Sequence, residues 1–214
     1  MGVEFQWNTC IREVKTGCVI TIDGHQHRCE LIVICSGIDF EILYPDIFLT
    51  LDITKCKLQM MRFVSQNGWD IGPALCGGLS LIHYKSFSCT ASLSELKNRY
   101  ASELPQYLEY GIHVMVSQNG KGELTVGDSH QYGLTHDPFD QQLINDLILR
   151  YLGTFARFKD PTIIQTWNGL YPKLVGDRPY IFMSPEPGIY LFNGLGGNGM
   201  TLGFGLAEEL TECL

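Results

Sequence analysis

Three glycines late in the chain, Gly194, Gly196 and Gly199, stand in the spacing G-x-G-x-x-G. They lie between an apolar run at residues 189–192 and a helical run from Met200 onward. A strand before and a helix after are the context in which this spacing grips a dinucleotide. The full fingerprint needs a strand–helix–strand unit of about 30 residues, with an acidic residue about 20 positions on. Only 15 residues, Met200 to Leu214, follow Gly199, so a second strand has no room. A simpler chemistry remains. Glycine lets backbone approach a ligand closely. The start of the following helix offers unpaired N–H groups and a partial positive charge. Together they stabilise an anion, or a carbonyl that gains negative charge. Such a turn also serves tight strand-to-helix packing, and the motif alone leaves both readings open.

Other reactive side chains give weaker signals. The eight cysteines (Cys10, Cys18, Cys29, Cys35, Cys56, Cys76, Cys89 and Cys213) form no C-x-x-C pair, and no two stand near a histidine pair at zinc spacing. Several sit in apolar runs, as Cys35 does, so they read as buried, reduced thiols of a cytoplasmic protein. His25 and His27 alternate with polar residues after Gly24, without carboxylate or thiolate company, and read as an exposed turn. No metal is expected. The net charge of -8 opposes a phosphate backbone, so no nucleic-acid partner is expected. With 45% hydrophobic and 18% charged residues the chain suits a packed core. No apolar stretch approaches the ~20 residues of a membrane-spanning helix. The start, Met1-Gly2-Val3-Glu4, has neither the basic nor the apolar region of a signal peptide, and Gln6 stands where a myristoylation motif has Ser or Thr.

The elements that must position these residues follow from patterning. Residues 18–22 are rich in β-branched side chains and run into the Asp23-Gly24 turn. Residues 30–35 form a short apolar run ending at Ser36-Gly37, which suits a buried strand. Ligands gather at the carboxyl ends of such strands, although a glycine after a strand is also ordinary. Residues 58–64, 75–83, 112–116 and 123–126 read as strands, the last after the Asn119-Gly120-Lys121-Gly122 hairpin signal. A helix starting at Ser92 or Ser94 runs to about residue 108, interrupted by Pro105. A second spans 138–155, with Asp137 as its cap, Pro138 at its first turn, and Phe139, Leu143, Leu147, Ile148 and Leu152 on one face. Strands at 162–167, 180–183 and 189–192 close the pattern, with a turn at 185–188.

Several segments, in order, resemble one family. Gly194-Leu195-Gly196-Gly197-Asn198-Gly199-Met200-Thr201-Leu202, then Gly203-Phe204-Gly205-Leu206-Ala207-Glu208-Glu209, resembles the C-terminal flavin-contacting segment of the D-amino-acid-oxidase and glycine-oxidase superfamily of FAD-dependent oxidoreductases. Residues 31–37 are similar to its apolar strand before the flavin. Lys57-Leu58-Gln59-Met60 resembles its Gly-Gln motif at the start of the substrate domain, and Trp167-Asn168-Gly169-Leu170-Tyr171-Pro172 its G-x-R-P segment. Trp167, Gly169 and Tyr171, the segment Gly127-Asp128-Ser129-His130, and Gly199-Met200-Thr201 are most similar to a subgroup associated with aminophosphonate breakdown.

The resemblance implies oxidation of a small amine at the carbon next to nitrogen, with hydride passing to the flavin of FAD. The resulting imine would hydrolyse, and oxygen would reoxidise the flavin. It implies cofactor contacts at Ile11 (adenine end), at Ser36 and Gly37, and through the main chain of Gly197, Asn198, Gly199, Met200 and Thr201 (pyrimidine end). On the substrate side it implies Tyr171, Met115, His130 and Gln59. Tyr171 replaces an arginine that would hold a substrate carboxylate, and a phenol makes no bidentate charged pair. Lys57, Arg62, His83 and His130 are the candidates for holding an anion instead. The implied fold is α+β: strands of a partial FAD-binding domain, an α/β remnant, at 1–50; a mixed-sheet substrate domain with flanking helices at 51–175; and a return to the FAD-binding domain at 176–214. The family's own nucleotide-gripping G-x-G-x-x-G lies upstream of anything here. The sequence therefore reads as a C-terminal portion with an open apolar sheet edge, and a chain carrying the missing N-terminal half is a candidate partner. The competing reading is a non-catalytic fragment that binds a ligand or a partner.

Overall fold

A computed structural model describes residues 2–176 and 178–212. In chain order the first elements are β1 (Ile11–Lys15), β2 (Cys18–Thr21), β3 (Gln26–Arg28), β4 (Ile32–Ile34), α1 (Pro45–Leu49), β5 (Ile53–Phe63), β6 (Leu75–Cys76), α2 (Leu79–His83), α3 (Leu93–Glu103) and α4 (Pro105–Glu109). There follow β7 (Met115–Gln118), β8 (Leu124–Gly127), β9 (Gln131–Gly133), α5 (Gln142–Leu152), β10 (Ile163–Leu174), β11 (Ile181–Glu186), β12 (Ile189–Asn193) and α6 (Gly199–Thr211). The fold is α+β. The chain forms two compact units, one from residues 1–55 and 171–214 and the other from residues 56–170.

The first unit holds two small sheets. The antiparallel set β1-β2-β3 turns at Gly24, whose φ of 89° suits a residue without a Cβ. The other sheet has the order β11-β12-β4, with β12 antiparallel to β11 and parallel to β4. Their inner side chains, Ile32, Ile34, Ile189 and Leu191, form one core. The alternation is plain in β4: Ile32 and Ile34 are buried while Val33 between them is 44% exposed. A second cluster joins Phe40 and Phe48, stacked at 5.1 Å, to Ile53, Leu174 and Ile181.

The second unit is a mixed layer of sheet and helices. Its strands run β10-β5-β8-β7-β6, with β9 paired to β5. Val114, Val116, Leu124, Val126, Met61 and Phe63 supply one face, against Ile144, Leu147, Ile148 and Leu152 of α5. Burial of each such side chain stabilises by about 1.5–3 kcal/mol at most.

Three sequence expectations change. Residues 75–83 do not continue as a strand, because Gly77 and Gly78 end it and α2 begins. A Cβ on Gly77 would lie 2.6 Å from the Tyr151 ring, and one on Gly78 2.4 Å from the Tyr100 hydroxyl. The glycines are there to let backbone meet aromatic rings. The helix expected over 138–155 starts only at Gln142. Lys57 Nζ donates to the carbonyls of Asp137 and Phe139, and Gln59 accepts the Gln141 N–H at 2.8 Å. Those backbone groups therefore cannot enter a helical ladder, and Phe139 is 75% exposed. Among the described cysteines only Cys56 is buried, whereas Cys10, Cys35, Cys76 and Cys89 are exposed. Cys213 lies outside the described residues.

Candidate functional site

In the first unit, the carboxyl ends of two parallel neighbours, β4 and β12, lie side by side. Each strand runs into a glycine that carries the chain through a positive φ, Gly37 (62°) and Gly194 (82°). Asn193, 4% exposed, joins the two ends. Its Nδ2 donates to the Gly37 carbonyl at 2.9 Å, and its Oδ1 accepts the Gly194 N–H at 2.8 Å. Leu195 bridges to Lys173 at the end of β10. These contacts hold the glycine turn in place before any ligand arrives.

A cleft of about 230 Å³ opens there, lined by Cys35, Gly37, Phe192, Gly194, Gly196 and Gly199 among others. That is less than the roughly 300–1,000 Å³ of a whole drug-sized pocket, so it suits one end of a larger ligand. A Cβ on Gly37 would meet nothing within 4 Å, and bare backbone faces that space. Helix α6 starts at Gly199, and no side chain caps its first turn. A tight turn over Gly196–Asn198 runs directly into this start, with the Asn198 N–H donated to the Leu195 carbonyl at 3.4 Å, and the helix dipole adds partial positive charge there. Of the residues expected at the cofactor, Gly37 and Gly199 line this cleft, and Gly197 and Asn198 stand in the turn just before Gly199. A Cβ on Gly197 would lie 3.8 Å from the Tyr171 hydroxyl, so that phenol also borders the turn. The Ser36 hydroxyl is turned to the Asp39 carbonyl at 2.9 Å. Met200, 94% exposed, and Thr201, also exposed, lie in the first turn of α6. Ile11 opens β1 in the separate three-stranded sheet.

The residues expected on the substrate side lie mostly in the second unit. Gln59 is fully buried. Besides the Gln141 N–H, it serves the Gln141 carbonyl at 3.1 Å and Asn145 at 2.8 Å. Lys57, 2% exposed, is committed to the 137–139 loop. Arg62 lies 5.2 Å over the Trp167 ring and 3.9 Å from Glu123. Met115 accepts the Tyr84 hydroxyl at 3.4 Å.

His130 belongs to a group that sequence reading did not assemble. The rings of His83, His113 and His130 lie 3.9, 4.5 and 4.8 Å apart, and Asp128 Oδ1 lies 3.3 Å from His113 Nε2. Burial, then the neighbouring imidazoles of His83 and His130, hold His113 far below the ordinary histidine range. Burial pushes the Asp128 carboxyl up to about 7. Although the distance is that of an ion pair, the low-dielectric surroundings favour a neutral imidazole beside a carboxyl group. No local spacing links positions 83, 113 and 130. Strand pairing does: His113 and Asp128 exchange backbone hydrogen bonds at 3.2 and 3.1 Å. Asn193 was equally hidden, being only the last residue of a strand before glycine.

The family model described as "DAO: FAD dependent oxidoreductase" matches residues 1–213. No curated protein sequence matches the chain. Among solved structures, L-proline dehydrogenase from P. horikoshii is similar at 16% identity and a TM-score of 0.58, over 87% of this chain and 42% of its own. Glycine oxidase from Bacillus cereus is similar at 17% and 0.57, over 89% and 44%. Iminodiacetate oxidase from Chelativorans is similar at 16% and 0.56, over 91% and 45%. At such identity the likeness is one of fold. The chain spans less than half the length of these structures.

Proposed function

The chain belongs to the DAO family of FAD-dependent oxidoreductases, and on that premise we propose that its glycine turn holds the pyrimidine end of the flavin while a small amine is oxidised. The observation that carries this is the Asn193 latch, which sets the bare backbone of Gly37 and Gly194 beside the uncapped start of α6. Bound FAD supplies the electron acceptor for oxidation at the carbon next to nitrogen. This chain's residues supply position and charge. Gly197, Asn198, Gly199, Met200 and Thr201 present main chain, and α6 its dipole, to a ring edge that gains negative charge, while the Asn198 N–H, donated to the Leu195 carbonyl, shapes the turn. Ser36 and Gly37 border the cofactor from the β4 side, and Ile11 is assigned to its adenine end.

Tyr171 we place at the amine. It stands where the resemblance has a carboxylate-holding arginine, so a plain D-amino acid held by a bidentate charged pair is disfavoured. An aminophosphonate is our preferred substrate, from the resemblance of Gly127-Asp128-Ser129-His130 and of the Trp167 to Tyr171 segment. The neighbours' names (glycine oxidase, proline dehydrogenase, iminodiacetate oxidase) agree on small amines. Met115 stays a substrate-side candidate, while Gln59 and His130 serve as positioning residues within the second unit. The free thiols on the surface suit a reducing, cytoplasmic setting. The test is anaerobic mixing of the flavin-loaded chain with 2-aminoethylphosphonate, glycine and a secondary amine in turn. Loss of the visible flavin absorption with the phosphonate, faster than with glycine, is expected. Bleaching by glycine alone would reject the substrate assignment, and bleaching by none would reject amine oxidation by this chain.

A further inference from the structure

We propose that His83, His113, His130 and Asp128 form a binding site for one divalent transition-metal ion, and that zinc suits it best. The site lies wholly within residues 56–170 and does not rest on the flavin reading. Each histidine offers a ring nitrogen, and the three lie within 4.8 Å of one another. Asp128 Oδ1 lies 3.3 Å from His113 Nε2 and 3.9 Å from His130 Nδ1. Around an ion with arms of about 2.0–2.1 Å, tetrahedral ligand atoms stand roughly 3.4 Å apart. The carboxylate is already near that spacing from His113 Nε2, and the three imidazole nitrogens, within 4.8 Å of one another, would draw together on the ion while the backbone stays fixed.

The backbone is indeed fixed. His113 and Asp128 face each other through paired main-chain hydrogen bonds, and the His130 N–H donates to the Tyr110 carbonyl at 2.9 Å. Gly111, at φ 57°, lets the preceding turn close on His130, where a Cβ would come within 2.7 Å of the His130 carbonyl. His83 ends α2, His113 precedes β7, and Asp128 and His130 lie between β8 and β9, so ligands from three separate segments converge.

The partners behind the rings also fit. His130 Nδ1 lies 3.0 Å from the Gly111 carbonyl, which can only accept, so the proton sits on Nδ1 and the lone pair on Nε2. His113 Nδ1 lies 3.4 Å from the Ser80 hydroxyl, which leaves Nε2 directed at Asp128. Carbonyl and hydroxyl partners of this kind orient metal-binding imidazoles. The alternative is a purely structural stack of rings. It leaves Asp128 Oδ1 buried and without a hydrogen bond, which is a costly state for an acceptor. A cation removes that cost. Three nitrogens and one carboxylate oxygen match zinc's preference, and four protein ligands make a closed, structural site without an open position for chemistry.

The test uses the full 214-residue chain, stripped with EDTA and titrated with Zn²⁺ by calorimetry and with Co²⁺ by visible absorption. One ion per chain is expected, with the absorption of tetrahedral cobalt, no thiolate charge-transfer band, and a rise in Tm. His83→Gln, at a half-buried position, is expected to lower the affinity by more than about 100-fold, with an unchanged circular dichroism spectrum. Asp128→Asn is expected to weaken it too, and His25→Gln to leave it as it was. The proposal is overturned by absence of binding, by a thiolate-to-cobalt band showing that cysteines hold the ion, or by folded His83→Gln binding as the wild type does.

Discussion

At the scale of single residues, two buried amides carry more of the account than any charged group. Asn193 joins Gly37 to Gly194 with both ends of its side chain. Asn193→Ala leaves the half-buried Gly37 carbonyl and the buried Gly194 N–H without this partner, at a cost of about 1–3 kcal/mol. It also unlatches the turn, so FAD affinity is expected to fall about tenfold, in line with roughly 1.4 kcal/mol of lost preorganisation. Urea unfolding and flavin fluorescence titration measure the two effects separately. Gln59→Leu keeps the volume but orphans the Gln141 N–H and the side-chain amide oxygen of Asn145, while the Gln141 carbonyl keeps the Ile144 N–H. A loss of about 2–3 kcal/mol in urea unfolding is expected. A loss below about 0.5 kcal/mol would mean that water takes over those bonds. Neither role was legible beforehand. Gln59 drew notice through a motif resemblance, but its partners are about 80 residues away in sequence, and no local pattern encodes that pairing.

At the scale of elements, the legible parts are those whose signal is local. The β-branched strands, the split at Pro105 between α3 and α4, and the apolar stripe of α5 follow from periodicity and from proline's missing N–H. The end of β6 and the start of α5 were not legible, because tertiary partners decide them. Gly77 and Gly78 yield to aromatic rings, and Lys57 and Gln59 take the backbone groups that would have opened the helix a turn earlier. Gly77→Ala is therefore expected to destabilise by about 1–3 kcal/mol through overpacking against Tyr151 and Phe155. Thermal unfolding checks this, and an unchanged Tm would show that the rings yield freely. Helix α6 poses the opposite case, with Met200 94% and Phe204 90% exposed. Surface apolar groups of this size promote association. Phe204→Ser should raise solubility and leave Tm within about 2 °C, read by light scattering and calorimetry. Flavin binding should not change either, since the contacts assigned to α6 run through main chain.

At the scale of the whole molecule, the α+β class and the family were readable because short segments in a fixed order carry them, from residues 31–37 through the turn at 194–199. The ligand geometry within each unit was not, since it depends on strands paired across long stretches of chain, as β4 with β12 and His113 with Asp128. The central claim is that these 214 residues suffice to hold a flavin through the latched turn. The most direct measurement is the visible absorption spectrum of the purified chain after incubation with FAD and desalting, beside Asn193→Ala treated alike. A flavin band retained by the wild type and largely lost by the variant is the expected result. A colourless wild-type protein would contradict the account and favour a turn that serves only strand-to-helix packing, while equal retention by both proteins would place the flavin contacts away from Asn193.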